Sequence, residues 1–333
     1  MKRATGTLLG LAIGDALGKP TEFQEYDELL QWGAQWRELP LPKPALVTDD
    51  TQMTLALARG LRTAQERGPL APLRLTRPVR EEFVHWYFDP DNNRAPGMTC
   101  LKACLRLSKP ERRWQQASDV GSKGCGANMR VAPVGLLPGL TDRARSGAAQ
   151  LQSALTHGHP TALAASDLTA YTVRLLADGV EPAELPARLR EYALAAKVRG
   201  YDDFWLGDLA AHAQDPSPKA FSDRGWDDCL LELDRLDAAL ARPEPEGDPC
   251  SVTGEGWVAE EAFGTALLCF LLFPDDPVTA VRRGAFSSGD SDSIACLAGA
   301  FAGARHGAAA WPADWVERIE YRDELLELGA LWD

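Results

Sequence analysis

Thr5-Gly6-Thr7-Leu8-Leu9-Gly10-Leu11-Ala12-Ile13-Gly14-Asp15-Ala16-Leu17-Gly18 places a glycine at every fourth position: 6, 10, 14 and 18. On a helix of 3.6 residues per turn this spacing draws one smooth stripe along a face, suited to close packing against another helix. Lys2 and Arg3 before an apolar run imitate the start of a secretory signal. Asp15 interrupts that run, however, and no small-residue cleavage site follows cleanly. The segment therefore reads as a buried helix of a cytosolic protein.

The same helical period recurs outward from this segment. It predicts helices over 51–66, 77–87, 99–107, 144–155, 161–177, 182–195, 227–241, 257–273, 277–285 and 291–304. These stretches are rich in Ala, Leu and Arg, with Gly or Pro at their ends. Alternation at period two is absent, and Val, Ile and Thr do not gather into strands. The expected fold is all-α, one large helical array over 1–333 with no linker that would divide it. The apolar run 262–273 is too short to span a bilayer and is bounded by Glu261 and Pro274, so no membrane segment is expected. Residues 242–256 form a Pro- and Gly-rich loop, either functional or a passive connector, and 109–126 is a second irregular stretch.

Across 333 residues, 35 Lys and Arg stand against 48 Asp and Glu, for a net charge of −13. That balance disfavours binding to a nucleic-acid backbone, which needs cationic surface. It leaves room for an anionic small ligand if metal ions, helix N-termini or backbone amides supply positive charge locally. Seven scattered cysteines cannot all pair, which fits a reducing, cytoplasmic setting.

Two acidic clusters stand at predicted helix starts: Thr48-Asp49-Asp50-Thr51 and Ser288-Gly289-Asp290-Ser291-Asp292-Ser293. Either one alone reads as a helix cap, since Thr, Ser and Asp are preferred there. Both are denser than a cap requires, because one acceptor oxygen suffices. Hard divalent cations such as Mg²⁺ take a few carboxylate and hydroxyl oxygens and keep several waters. Were the clusters to converge, Asp49, Asp50, Asp290 and Asp292 would repel one another strongly without cations. The glycine-flanked Gly124-Cys125-Gly126 and the stretch Arg94-Ala95-Pro96-Gly97-Met98-Thr99 read as turns whose amides a ligand can approach. His157-Gly158-His159 is neither a zinc site nor a triad by itself.

Taken together and in order, these segments resemble the ADP-ribosylglycohydrolase family over nearly the whole chain. The likeness runs from Gly10-Leu11-Ala12-Ile13-Gly14-Asp15-Ala16-Leu17-Gly18 and Pro20-Thr21-Glu22, through Thr48-Asp49-Asp50-Thr51, 124–133 and Thr156-His157-Gly158-His159-Pro160, to 254–273 and 289–303. The resemblance implies an all-α fold with two Mg²⁺ (alternatively Mn²⁺) at the base of a cleft. It implies Thr48, Asp49, Asp50, Asp290, Asp292 and Ser293 as metal ligands. Where the family usually has Gly-Asp-Thr-Asp-Thr, Ser291 and Ser293 replace both threonines and keep the hydroxyls. The carry-over further implies Glu22, Asp49 or Asp292 as the group that steers or deprotonates water. Gly97 and Thr99 would lie near the phosphates, Gly124, Cys125 and Gly126 would line the distal ribose, and His157 would lie near the ligand. Cys125 departs from the Asn or Ser common in the family.

The implied reaction is hydrolysis of the glycosidic bond at C1 of the distal ribose, releasing ADP-ribose from a modified acceptor: a protein arginine or serine, or a small ADP-ribose derivative. Two other classes stay open at this point. One is a non-catalytic ADP-ribose-binding or structural relative of the fold. The other is a hydrolase of another phosphorylated substrate.

Overall fold

The computed structural model describes residues 1–32 and 35–333. Its spine is the helix Arg3–Gly18, buried from Ala4 to Gly18, lying antiparallel against the helix Ser291–His306. The glycine stripe is the contact. A Cβ on Gly10 would collide with the carbonyl of Gly299, one on Gly14 with that of Ala295, and one on Gly18 with the backbone of Asp292. The partner answers in kind, because Gly299 and Gly303 lie against Gly10 and Gly6. Two backbones can approach this closely only where neither carries a side chain. The seam therefore has a fixed register, which brings the end of one helix to the start of the other.

Around this pair the helices Asp49–Glu66, Pro72–Phe88, Asp142–Ala154, Pro160–Ala177, Pro218–Ala241, Ala259–Leu272 and Pro277–Ala285 enclose one large apolar core. A small satellite of Leu29, Trp36 and Phe286 lies outside it. Among the described residues, extended pairing is limited to three isolated bridges. No helix among them is long and apolar enough to cross a membrane.

The all-α reading and each expected helix are found, with shifted ends. The helix expected over 227–241 begins at Pro218, capped by the Ser217 hydroxyl, and accommodates Gly225 because that residue packs on the carbonyl of Pro160. The helix expected over 77–87 begins at Pro72 and runs through Pro78. The expectation of helix from 257 needs correction. Trp257 lies in a bend, its carbonyl accepting from the Cys125 amide, Val258 is extended, and helix begins at Ala259. The helices Ala313–Arg318 and Arg322–Trp332 lie outside the sequence reading.

Candidate metal and substrate site

The seam between the Arg3 and Ser291 helices decides where the two acidic clusters go. Asp15, fully buried one turn before Gly18, accepts from the amides of Thr48 (2.8 Å) and Thr51 (3.0 Å) and from the Thr51 hydroxyl (2.6 Å). It thus fastens the start of the Asp49 helix to the spine, while Gly18 lies on Asp292 at the other side. The clusters are some 240 residues apart in sequence, and this clamp makes them neighbours. Thr48 caps its helix, its hydroxyl accepting from the Asp50 amide at 3.3 Å and donating to Asp50 Oδ2 at 3.2 Å.

The Asp290 loop is built differently. Asp248 accepts from the Ser288 hydroxyl (2.6 Å), and the Asp290 amide donates to the Glu255 carbonyl at 2.8 Å. Gly289 adopts φ +77°, a conformation favouring glycine, with the Glu255 backbone pressed against it. Asp290 occupies the N-cap position, yet its side chain makes no capping bond. Thr21 bridges the carbonyls of Gly18 and Ala285 and the Ser291 hydroxyl at 2.5–2.9 Å, fixing the turn that carries Glu22. Carboxylate oxygens of Glu22, Asp290 and Asp292 come within 4.8 Å of one another.

Few charges balance this set. Asp15, Asp49, Asp50, Asp290 and Asp292 are all buried, and no Lys or Arg lines the cleft above them. Burial, and then the neighbouring charge of Asp292, pushes Asp15 up to about 7, Asp49 up to about 8 and Glu22 up to about 9. The same two causes hold Asp50 and Asp290 well above the usual carboxylate range. Asp50 Oδ1 is buried with no hydrogen-bond partner. Buried carboxylates crowded together, one with an orphaned oxygen, fit divalent cations bound through oxygen. Thr48, Asp49, Asp50, Asp290, Asp292 and Ser293 supply the hard donors such ions take.

The walls come from the irregular segments. Ala95, Gly97, Met98 and Thr99 form one side, and the Gly97 amide faces Asp49 Oδ2 at 3.4 Å. Thr99 is already engaged with the Ser122 hydroxyl at 2.9 Å. Gly124, Cys125 and Gly126 form the opposite side, backed by the His157 ring; a Cβ at Gly126 would collide with Cys100 Sγ and press on that ring. Burial drives the Cys125 thiol well up, so it is a neutral lining group. Each site residue implied by the family resemblance lines this one cleft except Thr48, which stands behind Asp50.

Three contributors escaped the sequence reading. Asp15 looked like a mere interruption of an apolar run, although a lone carboxylate on an otherwise buried helix must find buried donors. Phe23 and Trp257 stack at the rim with ring centroids 5.3 Å apart, beside Glu22. Phe23 holds φ +66°, unusual for a bulky residue, with its amide donating to the Gly289 carbonyl. Residues 254–258 are also more than a connector: they join the Asp290 loop to the Gly124–Gly126 wall.

The fold is an all-α array that brings oxygen-rich acidic clusters together at one cleft. The ADP-ribosylglycohydrolase family model matches residues 1–333, and the chain belongs to that family. It is 25% identical over 330 residues to the ADP-ribosyl-[dinitrogen reductase] glycohydrolase of Rhodospirillum rubrum, covering 97% of this chain and 92% of that protein. It is 27% identical over 352 residues to ADP-ribosylhydrolase ARH3 of Mus musculus, covering 97% and 89%. A solved structure described as an ADP-ribosylglycohydrolase-related protein complex shares the fold, with a TM-score of 0.66 over 99% of this chain and 96% of that one, at 22% identity.

Proposed function

We propose that this protein hydrolyses the glycosidic bond at C1 of the distal ribose in an ADP-ribosylated acceptor, releasing ADP-ribose. The observation that carries the reading is the meeting of Asp49, Asp50, Asp290 and Asp292 beneath a cleft whose walls are amide-rich loops. The residues that would hold two Mg²⁺ or Mn²⁺ ions are Thr48, Asp49, Asp50, Asp290, Asp292 and Ser293. When bound, such ions supply positive charge for the ribose diol and acidify water.

The chain's own groups then divide the work. The walls at Gly97 and at Gly124–Gly126 leave backbone close to the ligand and hold the sugar still, so that attack becomes effectively unimolecular. Departure of the acceptor leaves oxocarbenium character at C1, which the surrounding carboxylates stabilise. Glu22 stands beside Asp290 and Asp292 at the cleft, where it takes a proton from the attacking water. With cations on Asp290 and Asp292 offsetting the neighbouring negative charge, its carboxylate would be ionised, as a general base requires. An aspartate, Asp49 or Asp292, is the other group that can steer the water. No covalent nucleophile is needed.

The reading is tested with defined arginine-linked and serine-linked ADP-ribosyl peptides, with phosphoesters as controls and Mg²⁺ or Mn²⁺ present. Free ADP-ribose and an unmodified peptide are expected from one linkage, which identifies the acceptor. Release of phosphate from the esters with no ADP-ribose from either peptide would contradict it.

A further inference from the structure

Arg130 lies fully buried behind the cleft with no carboxylate bonded to it. Its Nε donates to Gln152 Oε1 (2.9 Å), its Nη2 to the Gln152 carbonyl (2.9 Å) and to Thr156 Oγ1 (2.8 Å), and its guanidinium covers the Phe83 ring. Burying an unpaired guanidinium is costly, so its remaining bonds are expected to do specific work. The bond to Thr156 has a directional consequence. Arginine can only donate, so one lone pair of the Thr156 hydroxyl is occupied and its proton must go elsewhere.

Two acceptors are in range: His157 Nδ1 at 2.9 Å and the Ser153 carbonyl at 3.4 Å. The Ser153 carbonyl already accepts from the amides of Thr156 (3.0 Å) and His157 (2.8 Å), which uses both its lone pairs. The hydroxyl proton therefore belongs to Nδ1, which must be unprotonated. The neutral ring then carries its hydrogen on Nε2, the edge that lies against Gly124 and Gly126 at the cleft wall. Burial, and then the charge of Arg130, lowers the ring to about 3, so it stays neutral.

We propose that Arg130 and Thr156 are positioning residues: acting in series, they fix His157 as its Nε2–H tautomer and make it a hydrogen-bond donor to an oxygen of the ADP-ribosyl group in the cleft. The substrate half of this statement rests on the proposed function; the tautomer half rests on the protein alone. Neither Arg130 nor Thr156 lines the cleft, so both act through the histidine.

Long-range ¹⁵N–¹H correlation spectra of the intact protein read the tautomer directly, with the His157 signals assigned by their loss in His157→Gln. The wild type is expected to show a protonated Nε2 and a bare Nδ1. Thr156→Val, which removes the hydroxyl at nearly constant volume, is expected to mix the tautomers and weaken calorimetric ADP-ribose binding about tenfold, as for loss of one well-placed hydrogen bond. Thr156→Ser restores the hydroxyl and is expected to recover both. A wild-type ring protonated on Nδ1 overturns the proposal whether or not any variant folds, as does a tautomer that Thr156→Val leaves unchanged. If the tautomer behaves as expected but the wild type binds no ADP-ribose, the failure lies with the substrate reading.

Discussion

Thr48 and Asp290 occupy the same place on two helices, yet they behave differently. Thr48 uses its side chain to cap the Asp49 helix, and the cluster behind it is clamped from outside by Asp15. Asp290 makes no capping bond with its own side chain; Asp292 Oδ1 accepts from the first-turn Ser293 amide instead, and the loop is held by its backbone, through Glu255 and the Asp248–Ser288 bond. Capping explains one carboxyl-rich start and fails for the other. What distinguishes them is where each hydrogen bond goes: Asp50 Oδ1 is buried without a partner, and the Asp290 carboxyl is not used to cap its helix.

The largest expected effect comes from the unexplained carboxylates. Asp50→Asn and Asp290→Asn each remove one anionic donor from a site that needs several. Turnover on the cleaved peptide should fall to background in both, while circular dichroism keeps its helical signature. Retained activity in Asp290→Asn would break the distinction between the two helix starts.

Glu22 belongs to neither cluster and tests the base. Glu22→Gln keeps size and polarity but removes charge and basicity. The expected outcome is a kcat lowered about 10² to 10⁴-fold, the usual contribution of a general base. ADP-ribose affinity by calorimetry should change far less. Unchanged turnover would move the role to Asp49 or Asp292.

The clamp sharpens the comparison next. Asp15→Asn replaces one acceptor oxygen with a donor facing the Thr48 and Thr51 amides. A cost of about 1–3 kcal/mol is expected, the penalty of leaving buried donors unpaired. Denaturant unfolding checks it, and divalent-ion affinity should weaken in parallel because the Asp49 cluster is no longer registered on the spine. The same experiment on two glycines contrasts a close backbone contact, where the cost matches that of Asp15→Asn, with open space. Gly14→Ala drives a methyl into the Ala295 carbonyl, with an expected cost near the top of the overpacking range, about 3 kcal/mol. Gly97→Ala meets nothing within 4 Å and should leave stability within about 0.5 kcal/mol.

Much of this was legible in the sequence, and the limits have physical causes. Helical period and the missing alternation gave the fold class, and the glycine stripe announced a close helix contact. It did not name its partner, because the matching small residues, Ala295, Gly299 and Gly303, lie nearly 300 positions away. Local pattern also showed two acidic helix starts without their convergence. Convergence depends on Asp15, a residue whose importance appears only once Thr48 and Thr51 are known to face it. Trp257 was read as helical because apolar residues follow it. The bond from the Cys125 amide to its carbonyl, a long-range contact, ties it to the cleft wall outside the helix.

The central claim is that the two clusters form one cation site. Calorimetric titration of Mn²⁺ into chelator-stripped protein tests it most directly, with Asp50→Asn and Asp290→Asn in parallel. The account predicts saturable binding of two ions per chain in the wild type, a raised melting temperature, and loss of one or both sites in each variant, although the substitutions lie in different clusters. No saturable binding in the wild type, or binding that survives both substitutions, would contradict it.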